Sequence, residues 1–190
     1  LTSSMSLHRR GYRIYDHPAA LKPTLAYAML TISGTRDKDV IVDPMCGGGT
    51  IPIEARFIHE DADIYCMDIN KEYVKYAELN ALYAGVYSLL KFQIWDARRI
   101  NEAPIPDVNH MVSNPPYGIR YGDPTVVRRL YEVFLDKAWF KLVDNGRLTI
   151  ITTEYNYLNK IASRRGYVKI HERIVQHGGL YPHIIVFSKS

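Results

Sequence analysis

The stretch VIVDPMCGGGT, residues 40–50, decides the fold that we expect for this chain. It reads as a short β-branched strand that runs into a glycine turn and then opens a helix. Consecutive glycines let the backbone adopt positive φ angles and approach a ligand without a Cβ in the way. The turn does not have the Gly-Lys-Ser/Thr ending of a nucleoside triphosphate loop, and it does not follow the Gly-x-Gly-x-x-Gly spacing typical of nicotinamide sites. The stretch therefore predicts a different kind of ligand loop at a strand tip.

Strand and helix patterns alternate along the rest of the chain. A segment with Gly178, Gly179 and Pro182 joins the last two strands and leaves no room for a helix, so these strands should pair antiparallel. We predict an α/β fold, a doubly wound Rossmann-like seven-stranded sheet that is mostly parallel with an antiparallel carboxy-terminal hairpin. The predicted strands are residues 40–44, 63–69, 90–95, 108–114, 147–152, 168–175 and 184–188, and the predicted helices are residues 22–33, 50–59, 72–84, 126–143 and 157–164.

Composition fits one domain, residues 1–190, with 47% hydrophobic and 23% charged residues. The apolar runs are too short for a membrane span, and residues 1–10 do not resemble a signal peptide, so we expect a cytoplasmic monomer without a membrane partner. A net charge of +4 weakly favours an anionic partner. Neither Cys46 nor Cys66 has metal-type spacing to another cysteine or a histidine, so we predict reduced thiols and no metal.

Three predicted strands in succession end in an acid. Asp43 precedes the glycines and could reach an ammonium group, and Asp68 follows some twenty residues later, where a carboxylate can accept both hydroxyls of a ribose. Asp96 ends the third strand and suits an adenine amino group. The ordered series matches an adenosine that carries an amino acid better than a dinucleotide.

The fourth strand runs into Asn114-Pro115-Pro116-Tyr117. Two prolines stiffen this tetrad and remove two N–H donors, so it presents acceptors from a rigid frame. The side-chain oxygen of Asn114 and the carbonyl of Pro115 could accept the two N–H groups of a planar amine and direct its lone pair at a methyl donor. Tyr117 offers a face on which a nucleobase can stack. The tetrad therefore predicts amine methylation, chiefly by alignment.

The combination of these motifs resembles the class I S-adenosylmethionine-dependent methyltransferases, and more narrowly the RNA guanine methyltransferases that carry an amino-terminal THUMP domain. The narrower resemblance rests on residues 7–13, 17–26 and 43–55, and it covers essentially the whole chain. A THUMP domain is absent from these residues, so we expect a catalytic domain dissected from a longer protein. Residues 1–34 would then form an amino-terminal segment and helix over the cofactor pocket.

The resemblance implies a role for each motif: the loop and the acids hold S-adenosylmethionine, the Lys-Pro passage covers its methionine end, and the tetrad holds the target amine. The implied catalytic residues are Asn114, Pro115 and Tyr117, and the implied substrate contacts are Arg9, Arg10, Pro116, Gly118 and Arg120. The implied cofactor-binding residues are Lys22, Pro23, Thr24, Asp43, Met45, Cys46, Gly47, Gly49, Thr50, Asp68, Ile69, Asp96 and Ala97.

The leading hypothesis is methyl transfer to the 2-amino group of a guanosine in RNA, most readily tRNA. Similar tetrads serve adenine-amine and glutamine methyltransferases, which also present a planar amine, so these alternatives stay open. A catalytically silent subunit that binds RNA is the alternative from a different class. The arginine pairs at 9–10, 98–99, 128–129 and 164–165 favour a polyanion, although such pairs are more often solvated helix faces.

Overall fold

The computed structural model describes residues 11–12, 14, 20–117 and 124–190. Within these residues, strands and helices alternate as the sequence predicts. The strands are β1 Val40–Asp43, β2 Asp63–Asp68, β3 Lys91–Ile94, β4 Val108–Ser113, β5 Leu142–Thr152, β6 Val168–Ile174 and β7 His183–Ser188. The α-helices are α1 Pro23–Ser33, α2 Thr50–Ile58, α3 Lys71–Tyr83, α4 Pro124–Lys141 and α5 Tyr155–Arg165, and two short 3-10 helices span Tyr87–Leu89 and Ala97–Glu102.

The strands form one sheet in the order β3-β2-β1-β4-β5-β7-β6. Strands β1 to β5 pair in parallel, whereas β7 lies between β5 and β6 and pairs antiparallel with both. The predicted seven-stranded, mostly parallel sheet with an antiparallel carboxy-terminal hairpin is therefore confirmed. Strand β1 pairs with β2 on one side and β4 on the other, so the strand order reverses between β1 and β4. A ligand crevice is expected at the carboxyl ends of strands at such a switch point.

The sheet has a core on each face, because successive side chains of a strand point to opposite sides. Val42, Met111 and Ile150 belong to the core under α4 and α5. Their neighbours along the three strands, Ile41, Val112 and Ile151, belong to the core under α1 and α2. Burial on both faces explains why these strands read as continuous apolar runs. In the described part of the chain, no helix combines the length and apolarity of a membrane span.

The largest boundary errors lie between α4 and β5, where the helix was predicted to end at residue 143 but ends at Lys141. The strand begins at Leu142 rather than at 147, directly after α4, and Leu142 pairs with Val108. Asn145 has a φ of 60°, and a Cβ on Gly146 would lie 2.7 Å from the carbonyl oxygen of Val143. The Asp-Asn-Gly sequence at 144–146 forms a tight bend inside the strand.

Candidate active site

The predicted acids and the tetrad meet at the carboxyl edge of the sheet. Asp43, Asp68 and Ser113 are the last residues of β1, β2 and β4, and Asp96 follows the end of β3 by two residues. Strand registers place these ends within two residues of one another, since Asp43 pairs with Cys66, two residues before Asp68, and Asp68 pairs with Ile94. The fold therefore brings the glycine loop beside the tetrad, across the switch point between β1 and β4.

The glycine loop contains backbone conformations that favour glycine. Gly47 has a φ of 50° and Gly49 a φ of 79°, and Gly49 is the residue before the first turn of α2. The amide of Gly47 donates to Oδ2 of Asp68 at 3.0 Å, and the amide of Asn70 donates to Oδ1 at 2.9 Å. Asp68 thus ties the loop to the tip of β2, with its carboxylate oriented by two backbone groups.

Asp43 is a buried carboxyl whose surroundings raise its pKa to near neutral pH. Its Oδ1 accepts a hydrogen bond of 2.7 Å from the Ser113 hydroxyl and one of 3.2 Å from the Met45 amide. Burial raises the pKa of Asp43 from 3.8 to about 7, the charge of Asp68 adds to the rise, and the two hydrogen bonds oppose it. Oδ2 takes part in neither bond, so an incoming cation would complete the environment of this carboxylate.

The tetrad is fixed from two sides. The Tyr117 hydroxyl donates to Oδ1 of Asn114 at 2.8 Å. The Tyr131 hydroxyl, from α4, donates to the carbonyl of Pro116 at 2.9 Å and lies 3.0 Å from the Thr152 hydroxyl at the end of β5. Burial raises the pKa of Tyr117 well above its usual range, so the phenol stays protonated and acts as a donor. The side-chain oxygen of Asn114 thus lies at the end of β4 and is hydrogen-bonded to the Tyr117 hydroxyl.

Asp96 is engaged within the protein. Its carboxylate makes a two-pronged contact with the Arg98 guanidinium, at 3.0 Å and 2.7 Å, and accepts from the Arg98 amide at the start of the 3-10 helix. The Arg98 side chain lowers the pKa of Asp96. An adenine amino group at Asp96 would have to share or displace Arg98. Nearby, Ile69 is 60% exposed, whereas Ala97 is buried.

The Lys-Pro passage begins α1. Lys22 precedes the helix, Pro23 is its first residue, and both Lys22 and Thr24 are exposed. The far end of the helix contacts the amino half of β5, where Arg147 donates to the Ser33 carbonyl at 2.7 Å. Helix α1 therefore runs opposite to the strands, with its first residues toward the carboxyl edge.

Cys46 and Cys66 are buried free thiols whose sulfur atoms lie 2.6 Å apart under the loop. Burial raises the pKa of each. Because its side chain is turned to Cys66, Cys46 can contribute to a ligand site through its backbone. Among the described residues, no three His, Cys, Asp or Glu side chains are grouped as metal ligands.

The predicted RNA contacts are less well supported. Arg9, Arg10, Gly118 and Arg120 lie outside the described residues. Most of the other paired arginines contact carboxylates of this chain, as solvated ion pairs do: Arg98 with Asp96, Arg99 with Glu102, Arg128 with Glu154, Arg129 with Glu132 and Arg165 with Asp136. Surface ion pairs of this kind contribute little to stability. An arginine in such a pair can contact an RNA phosphate only by giving up its carboxylate partner.

Sequence reasoning missed three residues that organise this edge: Ser113, Tyr131 and Asn80. Ser113 and Asn80 are polar residues in otherwise apolar buried patterns, at the end of β4 and on the inner face of α3. That signal was available in the sequence. Tyr131 gave none, because a tyrosine in a helix that faces the core usually only packs.

Several known proteins are similar to this chain. The chain is 31% identical to a tRNA (guanine(6)-N2)-methyltransferase of Archaeoglobus fulgidus over 98% of this chain and 53% of that protein. The crystal structure of TrmN from Thermus thermophilus superposes with a TM-score of 0.81 and 30% identity, over 91% of this chain and 52% of that one. A ribosomal RNA large subunit methyltransferase K/L of Shewanella baltica is 32% identical over 71% of this chain and 25% of its own length.

The chain thus spans about half the length of the first two of these proteins. The match that defines the family extends over nearly all of the chain, including the loop, the three acids and the tetrad. The predicted class I S-adenosylmethionine-dependent methyltransferase is therefore confirmed, and the chain belongs to the family described as RMKL-like, methyltransferase domain, which it matches over residues 10–183.

Proposed function

We propose that this chain transfers a methyl group from S-adenosylmethionine to the 2-amino group of a guanosine in tRNA. The observation that carries the proposal is the adjacency of the two strand tips, where Ser113 of β4 donates to Asp43 of β1 at 2.7 Å. It brings the end of the glycine loop's strand into contact with the residue before Asn114. The tRNA (guanine(6)-N2)-methyltransferases among the relatives support guanosine as the base. A tRNA substrate would place the protein in the cytoplasm.

The side chains of the cofactor half fit S-adenosylmethionine, which supplies the methyl group when bound. Asp43 would take the ammonium group on the oxygen that Ser113 leaves uncontacted. Asp68, already aligned by the Gly47 amide, would accept the ribose hydroxyls. The exposed side chain of Ile69 would cover one face of the adenine. Each of these groups lies at or just beyond a strand end, as expected for a ligand at a switch point.

The tetrad residues would hold the amine. The Tyr117 hydroxyl donates to Oδ1 of Asn114, and because an amide oxygen has two lone pairs it can accept from Tyr117 and from the amine together. Asn114 and the Pro115 carbonyl would then accept the two N–H groups, and the Tyr117 ring would stack on the base. The phenol cannot serve as a base at neutral pH, since burial raises its pKa. The proton would leave after transfer, when the methylated nitrogen is acidic, so alignment provides most of the rate enhancement.

Two measurements test this proposal. Calorimetry with S-adenosylmethionine should show binding by the wild type, weaker binding by Asp68→Ala and nearly unchanged binding by Asn114→Ala. Incubation with labelled cofactor and separate pools of tRNA, rRNA, DNA and protein, followed by digestion to nucleosides and amino acids, should place the label on the guanosine 2-amino group in tRNA. Asn114→Ala should abolish that label, because it removes an acceptor aimed at the amine.

The second candidate substrate is ribosomal RNA, favoured by the similarity to the K/L methyltransferases. The tetrad chemistry is the same for both RNAs, so the four pools decide between them. Label on adenosine or on glutamine would contradict guanosine methylation. A wild type that does not bind S-adenosylmethionine at millimolar concentration would instead indicate a catalytically silent subunit.

A further inference from the structure

The glycine loop packs against helix α3. Ala77 and Asn80 are three positions apart and so lie on one face of the helix. A Cβ on Gly49 would lie 2.9 Å from the Cβ of Ala77, so the loop backbone rests directly on this face. One turn further along, Nδ2 of Asn80 donates to the carbonyl oxygen of Gly48 at 2.9 Å. The position of the loop is therefore set by α3 at two points.

The same Asn80 amide also binds the segment that precedes α1. Its Oδ1 accepts a hydrogen bond of 3.1 Å from the backbone amide of Ile14. A carbonyl can only accept and a backbone N–H can only donate, so the two partners fix the orientation of this side chain, which is 1% exposed. Aspartate could accept from Ile14 but would set an oxygen against the Gly48 carbonyl. Leucine of similar size could do neither.

The segment contacts the other helix beside the loop as well. The Tyr12 hydroxyl donates to Oε1 of Glu54 on α2 at 2.8 Å, in the protein interior. The Tyr12 ring lies against Phe57 of the same helix, with ring centroids 6.1 Å apart. Helix α2 begins at Thr50, directly after the loop. The segment around Tyr12 and Ile14 therefore bridges the two helices between which the glycine loop is held.

We propose that Asn80 is a positioning residue for the cofactor loop, and that cofactor binding and docking of Tyr12 and Ile14 stabilise each other through its amide. The inference rests on the proposed function, because it concerns the same S-adenosylmethionine site. Coupling of this kind is reciprocal, so whatever orders the segment tightens cofactor binding by the same factor by which cofactor orders the segment.

Asn80→Asp is the sharpest variant, because it keeps the acceptor for Ile14 and removes the donor to Gly48. Its dissociation constant for S-adenosylmethionine should rise by about tenfold or more, from one lost hydrogen bond and the oxygen repulsion that replaces it. With saturating S-adenosylmethionine and tRNA, kcat should stay within about threefold, so the loss appears in KM for the cofactor. The matched control is Asn156→Asp, the same change on an exposed position of α5, which should leave both values unchanged.

Hydrogen exchange of the Ile14 amide tests the coupling in the unaltered protein. Saturating S-adenosylhomocysteine should slow this exchange in the wild type, and the effect should disappear in Asn80→Leu, which loses both bonds. An unchanged exchange rate in the wild type on binding would overturn the coupling. So would an Asn80→Asp variant that melts at a lower temperature but keeps wild-type affinity, because that result indicates a purely structural role. A wild type that binds no cofactor would instead defeat the proposed function.

Discussion

The Ser113 hydroxyl donates a 2.7 Å hydrogen bond to Oδ1 of Asp43 and so joins the ends of β4 and β1. Both residues are buried, with exposed fractions of 0% and 2%, and they belong to adjacent parallel strands. One strand leads into the glycine loop and the other into the tetrad. The protonation and position of Asp43 are therefore set partly by the strand that would carry the methyl acceptor.

Cofactor affinity should depend on pH through Asp43. Because the pKa of Asp43 in the ligand-free protein is raised to about 7, the carboxyl is mostly protonated below that pH. An ammonium group binds the carboxylate form, so binding below pH 7 must release a proton. Affinity for S-adenosylmethionine should fall by about tenfold for each pH unit below about 7. Calorimetry at pH 6 in buffers of different ionisation enthalpy would count the released proton.

The control for this pH dependence is Asp43→Asn. The amide oxygen can still accept from Ser113 and Met45, but it does not titrate. The variant should bind more weakly and with a flat profile between about pH 5 and 6.5, where the cofactor ammonium stays charged. A wild-type profile as flat as that of the variant would show that Asp43 does not meet the ammonium group.

The raised pKa of Asp43 also makes the free energy of unfolding depend on pH. The folded carboxyl titrates near 7 and the unfolded one near 3.8, so the native state holds the extra proton between these values. The contribution of Asp43 to the free energy of unfolding is therefore lost as pH rises from about 4 to about 7. The melting temperature of ligand-free Asp43→Asn minus that of the wild type should grow across this range. A difference that stays constant with pH would contradict the shift.

Ser113→Ala should move the midpoint of the pH profile upward. The Ser113 hydrogen bond lowers the pKa of Asp43, so its loss leaves the carboxyl protonated to higher pH. At pH 7 the affinity for S-adenosylmethionine should be lower than in the wild type, and the difference between the two proteins should shrink as the pH rises above the shifted midpoint. We expect a stability loss of about 1–2 kcal/mol from the missing buried hydrogen bond. Ser113→Thr, which keeps the hydroxyl, should retain the wild-type midpoint if its methyl group is accommodated.

The order of elements could be predicted from sequence because periodicity and turn residues are local signals. The glycines after β1 and those before β7 mark their turns directly, and the alternation of strands with helices implies parallel pairing. The insertion of β7 between β5 and β6 is a long-range pairing, which local periodicity does not encode. The early start of β5 was not predictable in this way, because a turn sequence such as Asn145-Gly146 looks the same inside a strand as before one.

The candidate site was predictable where a residue ends a strand, and less so where its partner comes from another element. Asp43, Asp68 and Asn114 stand at strand ends, so their convergence follows from the topology. The partners that orient these residues do not follow from the topology. Asp43 contacts Ser113, which is 70 positions away in the sequence, and the Gly48 carbonyl contacts Asn80, which is 32 positions away. The ion pair of Asp96 with Arg98 is local, yet the acid was interpreted only as a ligand contact.

Tyr117→Phe separates the two roles of that ring. The variant keeps the stacking surface, worth about 1–3 kcal/mol per base, but loses the hydroxyl that donates to Oδ1 of Asn114. Because Oδ1 of Asn114 can accept the target amine without the Tyr117 hydroxyl, kcat/KM for RNA should stay within about threefold of the wild type. Tyr117→Ala should lose about tenfold or more. Equal losses in the two variants would mean that the hydroxyl itself is needed for transfer.

Tyr131→Phe should impair methyl transfer without affecting the methyl donor site. The buried Tyr131 hydroxyl donates to the Pro116 carbonyl and lies within hydrogen-bonding distance of Thr152, so it fastens the tetrad to the end of β5. Its loss should cost about 1–2 kcal/mol of stability and leave the tetrad free to shift. Because alignment supplies most of the proposed catalysis, kcat should fall by about tenfold or more. Affinity for S-adenosylmethionine should not change.

The matched control is Tyr167→Phe. The Tyr167 hydroxyl is also buried and donates to a backbone carbonyl, that of Leu135, at 3.1 Å. That bond joins the start of β6 to α4 and does not involve the tetrad, so the variant should lose similar stability but keep its kcat. Melting temperatures and single-turnover methylation of tRNA would compare the two variants directly. If both variants lost activity in proportion to stability, the Tyr131 hydroxyl would contribute only to folding, and rigidity of the tetrad would not contribute to methyl transfer.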